Sequence, residues 1–318
     1  MSIRKIMTSF RIKAVSILFV LSITILFTGC TQRDSDSSKT QIHSLVHDGL
    51  TRSYRIYVPA NTNKYTALLL VLHGGGGTAK HTEEELTKKG FNTLSDKYKF
   101  VVVYPDGIEN RWNDGRIENN PVTHVDDVGF LTKIIDTITK EFKIDTHRVF
   151  VTGISNGGQM SYRLACETEK ITAIAPVVSS LHEDLYKTCT PSQPISVFII
   201  AGTKDPLVPY TGGDITIFKK KYGTVVSMND AVTFWVTHNN CSSTPVISVL
   251  PDTADDGCIV TKKEYTNGDN HTKVLFYSIE GGGHTWPSGG KYLTETLVGK
   301  ICYDFNACEH IWNFFNSL

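Results

Sequence analysis

Val149-Phe150-Val151-Thr152-Gly153-Ile154-Ser155-Asn156-Gly157-Gly158-Gln159-Met160-Ser161-Tyr162 is the stretch whose reading decides the fold. A β-branched, apolar run of strand length meets Gly-x-Ser-x-Gly and passes without a break into residues able to carry a helix. Ser155 is thereby placed on a sharp strand-to-helix turn. A side chain there takes strained backbone angles and crowds the positions two before and two after it, so glycine at 153 and 157 is what the geometry permits. The hydroxyl is lifted clear of the sheet. The first N–H groups of the helix, beginning with that of Asn156, point at the oxygen of a carbonyl under attack. Ser155 is the candidate nucleophile; an accidental glycine-rich loop is the competing reading.

On either side the pattern alternates between strand and helix. Arg52-Ser53-Tyr54-Arg55-Ile56-Tyr57-Val58 alternates before Pro59 as an edge strand does, whereas 67–72 and 100–104 are continuous apolar runs, the mark of strands covered on both faces. Further strands are expected at 171–178, 195–201 and 273–279, and helices at 83–98, 127–142, 156–166, 229–238 and 306–316. This alternation predicts an α/β fold with a mostly parallel central sheet and helices on both faces. The active site of such a sheet belongs at the carboxyl ends of its strands.

Those ends carry the remaining chemistry. His73-Gly74-Gly75-Gly76-Gly77 follows the second strand, and its unshielded backbone N–H groups suit an oxyanion hole facing Ser155. No Gly-Lys-Ser/Thr follows, so a nucleotide loop is disfavoured, and His73 reads as a brace for the loop. Asp205, in Gly202-Thr203-Lys204-Asp205-Pro206, stands just past a strand and is the candidate acid; capping a turn is its plainer role. His284, behind Gly281-Gly282-Gly283, is the candidate general base, expected on a mobile loop able to swing its imidazole toward Ser155. The chain order Ser155, Asp205, His284 is that of α/β-hydrolases.

Gly153-Ile154-Ser155-Asn156-Gly157-Gly158-Gln159-Met160 with Leu164-Ala165-Cys166-Glu167, the His73 glycine loop, Tyr104-Pro105-Asp106-Gly107, Val125-Asp126-Asp127-Val128-Gly129-Phe130, Asp205 and Gly283-His284-Thr285-Trp286-Pro287 together resemble the polyhydroxybutyrate depolymerase and feruloyl esterase family of secreted α/β-hydrolases. The resemblance runs from about Leu50 to the C-terminus. It implies an esterase with the α/β-hydrolase fold, the triad just assigned, and an oxyanion hole from the N–H groups of Asn156 and of a glycine near Gly75. Members of the family act on aliphatic polyesters or on plant cell-wall esters.

Trp112 and Trp286 are candidates for an apolar wall against an aromatic acyl group or a sugar face, with packing as the alternative. Asp126 and Asp127 read as a helix N-cap and a first-turn charge, and Trp235, Trp312, Phe314 and Phe315 as core.

The N-terminus carries Arg4, Lys5, Arg11 and Lys13 ahead of an apolar run from Ala14 to Phe27, a signal-peptide layout. Leu26-Phe27-Thr28-Gly29-Cys30 resembles a lipobox, which implies lipidation of Cys30; an ordinary signal-peptidase site and an uncleaved anchor are the alternatives. The expected organisation is a signal peptide over 1–30, a polar tether over 31–44 and one catalytic domain over 45–318. The 32 basic and 32 acidic residues cancel, which argues against nucleic acid as a partner. Six cysteines beyond Cys30 suit an exported chain with up to three disulfides, and neighbours in sequence suggest Cys166–Cys189, Cys241–Cys258 and Cys302–Cys308. No metal or cofactor is expected, nor a stable oligomer. A serine peptidase or other acyl hydrolase would use the same three residues, and a catalytically retired surface binding protein would keep the fold alone.

Overall fold

The computed structural model describes residues 39–318. Its strands are β1 (Lys39–His47), β2 (Leu50–Val58), β3 (Leu68–Leu72), β4 (Val101–Pro105), β5 (Val149–Ile154), β6 (Ala173–Val177), β7 (Ser196–Gly202), β8 (Gly213–Ile217), β9 (Lys220–Val225), β10 (Val246–Val249), β11 (Ile259–Tyr265) and β12 (Val274–Glu280). Ten of them form one sheet in the order β1-β2-β4-β3-β5-β6-β7-β12-β11-β10, and β8 and β9 make a separate hairpin. The middle of the sheet, from β4 to β12, is parallel, while both margins are antiparallel.

Alternation along the central strands sends side chains into two cores. Leu68, Leu70, Val149 and Val151 face one layer, where Phe130, Met160 and Trp235 arrive from the helices Asp127–Phe142, Asn156–Glu167 and Met228–His238. Leu69, Val71, Phe150 and Phe198 face the other, with Phe91 from Gly90–Tyr98 and Trp312, Phe314 and Phe315 from Ala307–Asn316. A sheet buried on both sides explains why β3, β4 and β5 read as unbroken apolar runs. The fold is that of an α/β-hydrolase, as the sequence predicts.

Several expectations are corrected. β2 is not an edge, because β1 pairs along its whole length. The domain boundary expected at residue 44 therefore falls inside β1, which begins at Lys39; the remainder of the expected tether, with the signal segment and Cys30, lies outside the described residues. The helix expected over 83–98 is broken into a π-helical turn at Thr82–Leu86 and a helix at Gly90–Tyr98. Lys88 and Lys89 between them take φ of 50° and 57°, and a Cβ on Gly90 would come 3.0 Å from the Cys308 sulfur. Asp126 is the N-cap expected of it, its carboxylate accepting the Gly129 N–H at 2.9 Å. Asp127 is the first-turn acid expected of it, and it is also fully buried, pairing with Arg52 at 2.6 Å and accepting the Asn113 N–H at 2.7 Å.

Of the three disulfides, only Cys166–Cys189 is formed. Cys241, Cys258, Cys302 and Cys308 are free thiols. Cys241 faces the Thr272 carbonyl at 3.8 Å, and Cys308 the Thr87 carbonyl at 3.9 Å. Cys258 lies instead beside Cys302 and Asp256, the two sulfurs and a carboxylate oxygen all within 4.8 Å of one another. Sequence neighbours are not spatial neighbours here because Cys258 and Cys302 border segments that pack together across the end of β11.

Candidate active site

β5 ends at Ile154 and the helix Asn156–Glu167 begins two residues on, leaving Ser155 alone on the turn with φ 54° and ψ −121°. A non-glycine residue held there stores strain of about 1–3 kcal/mol. The neighbouring glycines are required by contact. A Cβ on Gly153 would lie 2.5 Å from the Gly157 carbonyl carbon, and one on Gly157 would lie 2.5 Å from the carbonyl oxygens of both Leu72 and His73. The turn is thus wedged against the end of β3.

β7 ends at Gly202, and Asp205 follows in a tight turn. One carboxylate oxygen, Oδ1, accepts the N–H groups of Leu207 and Val208, each at 2.8 Å, which fixes the side chain and leaves Oδ2 to accept from His284 Nδ1 at 2.7 Å. The two side chains are 1% and 3% exposed, so solvent does not compete for this bond. Because a carboxylate oxygen only accepts, Nδ1 is the donor in this bond, and Nε2 is the ring nitrogen left for other partners.

The loop bearing His284 is held in place rather than mobile. His284 N–H donates to the Val298 carbonyl at 2.5 Å and Gly283 N–H to that of Lys300 at 3.0 Å, while the Tyr292 hydroxyl donates to the His284 carbonyl. Its glycines permit close packing more than movement: a Cβ on Gly283 would fall 2.2 Å from the Val298 oxygen. The approach of the two loops also explains Gly202, where a Cβ would fall 2.3 Å from the Gly282 oxygen.

Register brings these residues to one rim. Ile154 pairs with Val177, Val177 with Ile200 and Ile200 with Tyr277, so β5, β6, β7 and β12 end together. Ser155, Asp205 and His284 all emerge at that end.

The glycine loop closes over the serine. A Cβ on Gly74 would lie 3.6 Å from that of Ser155, and one on Gly75 would lie 3.8 Å from that of Asn156. Gly76 and Gly77 spend their N–H groups on the carbonyls of Asn110 (2.8 Å) and Gly74 (2.9 Å). His73 braces the loop as expected of it: Nε2 accepts the Gly107 N–H at 2.9 Å, and Nδ1 donates to the Gly74 carbonyl at 2.8 Å. Burial pushes this imidazole down to about 4, so it is neutral.

Trp112 and Trp286 do not form a substrate wall. They are 0% and 1% exposed; Trp112 donates from its ring N–H to the His73 carbonyl at 2.9 Å, and Trp286 packs edge-on against Phe91. Trp112 thereby braces the His73 loop, and Trp286 belongs to the core cluster that includes Phe91.

A buried polar network behind Asn156 has no counterpart in the sequence reading. The Asn156 amide accepts the Trp112 N–H at 2.8 Å and donates to Asp114 at 2.6 Å. Burial alone would raise the Asp114 carboxyl, yet Arg116 at 2.7 Å, His182 at 3.5 Å and the Asn156 amide hold it well below the usual carboxylate range. The network locks the first residue of the helix that follows Ser155 to the loop beside it. Asp114 and Arg116, two residues apart in a stretch without periodicity, were its only sequence signal.

No family model matches the chain. Among curated relatives, it is 27% identical over 284 residues to the Nocardia uniformis subsp. tsuyamanensis protein NocK, which bears an esterase name, covering 86% of this chain and 81% of that one. It is 29% identical over 236 residues to feruloyl esterase B of Piromyces equi; the match takes in 71% of this chain but spans only 41% of that protein's length. Among solved structures, an acetyl xylan esterase from Aspergillus awamori superposes with a TM-score of 0.52 at 16% identity, covering 77% of this chain and 94% of that one. At that identity the superposition speaks for the fold.

Proposed function

From the premise that this chain is a carboxylic ester hydrolase with the α/β-hydrolase fold, related to the feruloyl esterases, we propose that it cleaves its ester through an acyl-enzyme on Ser155. The observation that carries this is the bond from His284 Nδ1 to Asp205 Oδ2 at 2.7 Å, on the rim that also bears the strained Ser155 turn. His284 Nε2 takes the Ser155 proton as the hydroxyl oxygen attacks the ester carbonyl. The N–H groups of Asn156 and Gly75 receive the developing oxyanion, each worth on the order of 3 kcal/mol of barrier. The tetrahedral intermediate collapses, His284 passes its proton to the departing alcohol, and a water activated the same way releases the acid.

The names of the relatives support feruloyl or acetyl esters of plant cell-wall carbohydrate as substrates, with polyhydroxyalkanoate oligomers the remaining class. A panel of methyl ferulate, acetylated xylan, short nitrophenyl esters, hydroxybutyrate oligomers and a peptide amide tests this. Turnover of one ester class, with the peptide untouched and Ser155→Ala inactive by several orders of magnitude yet folded, is the expected result. Near wild-type turnover by Ser155→Ala refutes the assignment.

The basic and apolar N-terminus supports export, with lipid attached at Cys30. Among the described residues no helix is long and apolar enough to cross a membrane. Incorporation of labelled palmitate into the wild type but not into Cys30→Ser is expected; equal labelling overturns it.

A further inference from the structure

A cleft of about 280 Å³ beside the glycine loop is lined by Arg111, Asn119, Asn120, Pro121, Lys220 and Tyr222. Arg111 belongs to the oxyanion side of the site: its Nη1 lies 3.7 Å from where a Cβ on Gly75 would stand. Its backbone is fixed there. The Arg111 N–H donates to the Ile108 carbonyl at 2.9 Å, and its own carbonyl presses on Gly107, where a Cβ would fall 2.1 Å away. Gly107 in turn donates to His73.

Two cations flank one aromatic ring in this cleft. The Arg111 guanidinium lies 5.6 Å from the Tyr222 ring centroid and the Lys220 ammonium 5.4 Å from it. The nearby carboxylates are already engaged, Glu118 and Asp214 both binding Lys221, at 3.3 and 3.0 Å. Among the described residues neither Arg111 nor Lys220 has an ion-pair partner. The hairpin bearing Tyr222 is tied to the buried network, since Arg116 donates to the Tyr222 carbonyl at 2.9 Å and Asn119 to that of Lys221 at 2.9 Å. A guanidinium on a fixed backbone, with no ion-pair partner among the described residues and close to the glycine loop, suits a carboxylate carried by the substrate.

We propose that this cleft is a specificity subsite: Arg111, aided by Lys220 across the Tyr222 ring, selects esters that carry a carboxylate close to the scissile bond. The inference rests on the esterase reading above and names a substrate class within it. The carboxylate can belong to the acid or to the alcohol, and the assay separates the two. On the acid side, 4-nitrophenyl hemisuccinate is compared with 4-nitrophenyl pentanoate; on the alcohol side, 4-acetoxybenzoate with 4-acetoxybenzamide.

The wild type should prefer one charged ester over its neutral partner in kcat/KM, and the preference should fall about tenfold or more in Arg111→Gln and less in Lys220→Gln. Raising NaCl from about 0.05 to about 0.5 M should raise KM for the charged ester alone, a readout on the wild type that stands even where a variant fails to fold. No preference for either charged ester, or a preference that survives Arg111→Gln unchanged, overturns the subsite. Ser155→Ala decides the underlying reading separately, because it abolishes charged and neutral turnover alike and leaves their ratio in the parent enzyme untouched.

Discussion

Asp205 and His284 meet through a single hydrogen bond of 2.7 Å between side chains almost wholly withdrawn from water, and the second oxygen of Asp205 is already tied to two backbone N–H groups. The carboxylate cannot rotate away, and the imidazole has one tautomer open to it. Asp205→Asn keeps an acceptor for Leu207 and Val208 but can present an NH₂ to Nδ1, which favours the tautomer with its proton on Nε2. A drop of about a thousandfold or more in kcat is expected, with KM and the melting temperature little changed. Steady-state kinetics beside a thermal melt check this; a loss under tenfold removes Asp205 from the catalytic arrangement.

His73 supplies a pH-dependence of stability. Burial lowers its folded value to about 4, against an ordinary 6.5, so the unfolded chain takes up a proton that the folded chain refuses. Its contribution is complete above pH 6.5 and is lost as pH falls toward 4, a swing of about 3 kcal/mol over that window. Replacing the ring in His73→Gln, whose amide can still accept from Gly107, should flatten this part of the stability curve while lowering stability at neutral pH. Denaturant unfolding at intervals from pH 7 to 4.5 measures it. An unchanged slope in the variant would mean that other groups set the acid limb.

The glycines of the turn separate steric need from catalytic need. A methyl at Gly157 meets two carbonyl oxygens at 2.5 Å, and neither belongs to a flexible side chain. Gly157→Ala should destabilise by at least about 2 kcal/mol or fail to accumulate as soluble protein. At Gly75 the nearest atoms are 3.7 and 3.8 Å away, so Gly75→Ala should fold normally, and any fall in turnover then reports on the mouth of the site. Equal melting temperatures for the two variants would contradict this geometry.

The parts of the site that were legible in the sequence are those whose chemistry is local. The strand-to-helix turn at Ser155 is written in consecutive residues, and Asp205 and His284 each follow a strand whose apolar run announces its end. What stayed hidden depends on partners far away in the chain. β10 exposes every side chain and β11 is rich in lysine, so neither carries the alternation that marks a half-buried strand. Trp112 looks the same in sequence whether it lines a pocket or supports one, and its ring N–H bond to His73 spans 39 positions. Asn156 gave a backbone donor to the sequence reading, but its amide bond to Asp114 could be seen only in three dimensions.

The cysteines should divide into reactive and inert sets. Burial, reinforced by Asp256, pushes the Cys258 thiol up to about 12, burial raises Cys302 further, and burial pushes Cys308 up to about 12. Only the thiolate reacts, so at pH 8 these three should resist iodoacetamide in the native protein. Cys241 is raised too, by burial first, but it is partly exposed and should be labelled ahead of them. Cys166 and Cys189 should take label only after reduction, and replacing both with alanine should lower stability by about 3 kcal/mol, the loop-closure value for a bridge spanning 23 positions. Peptide mapping before and after denaturation and reduction reads all six. Rapid native labelling of Cys258 or Cys302 would show that the segment joining them to the His284 loop opens readily, and the fixed position assigned to that histidine would fall with it.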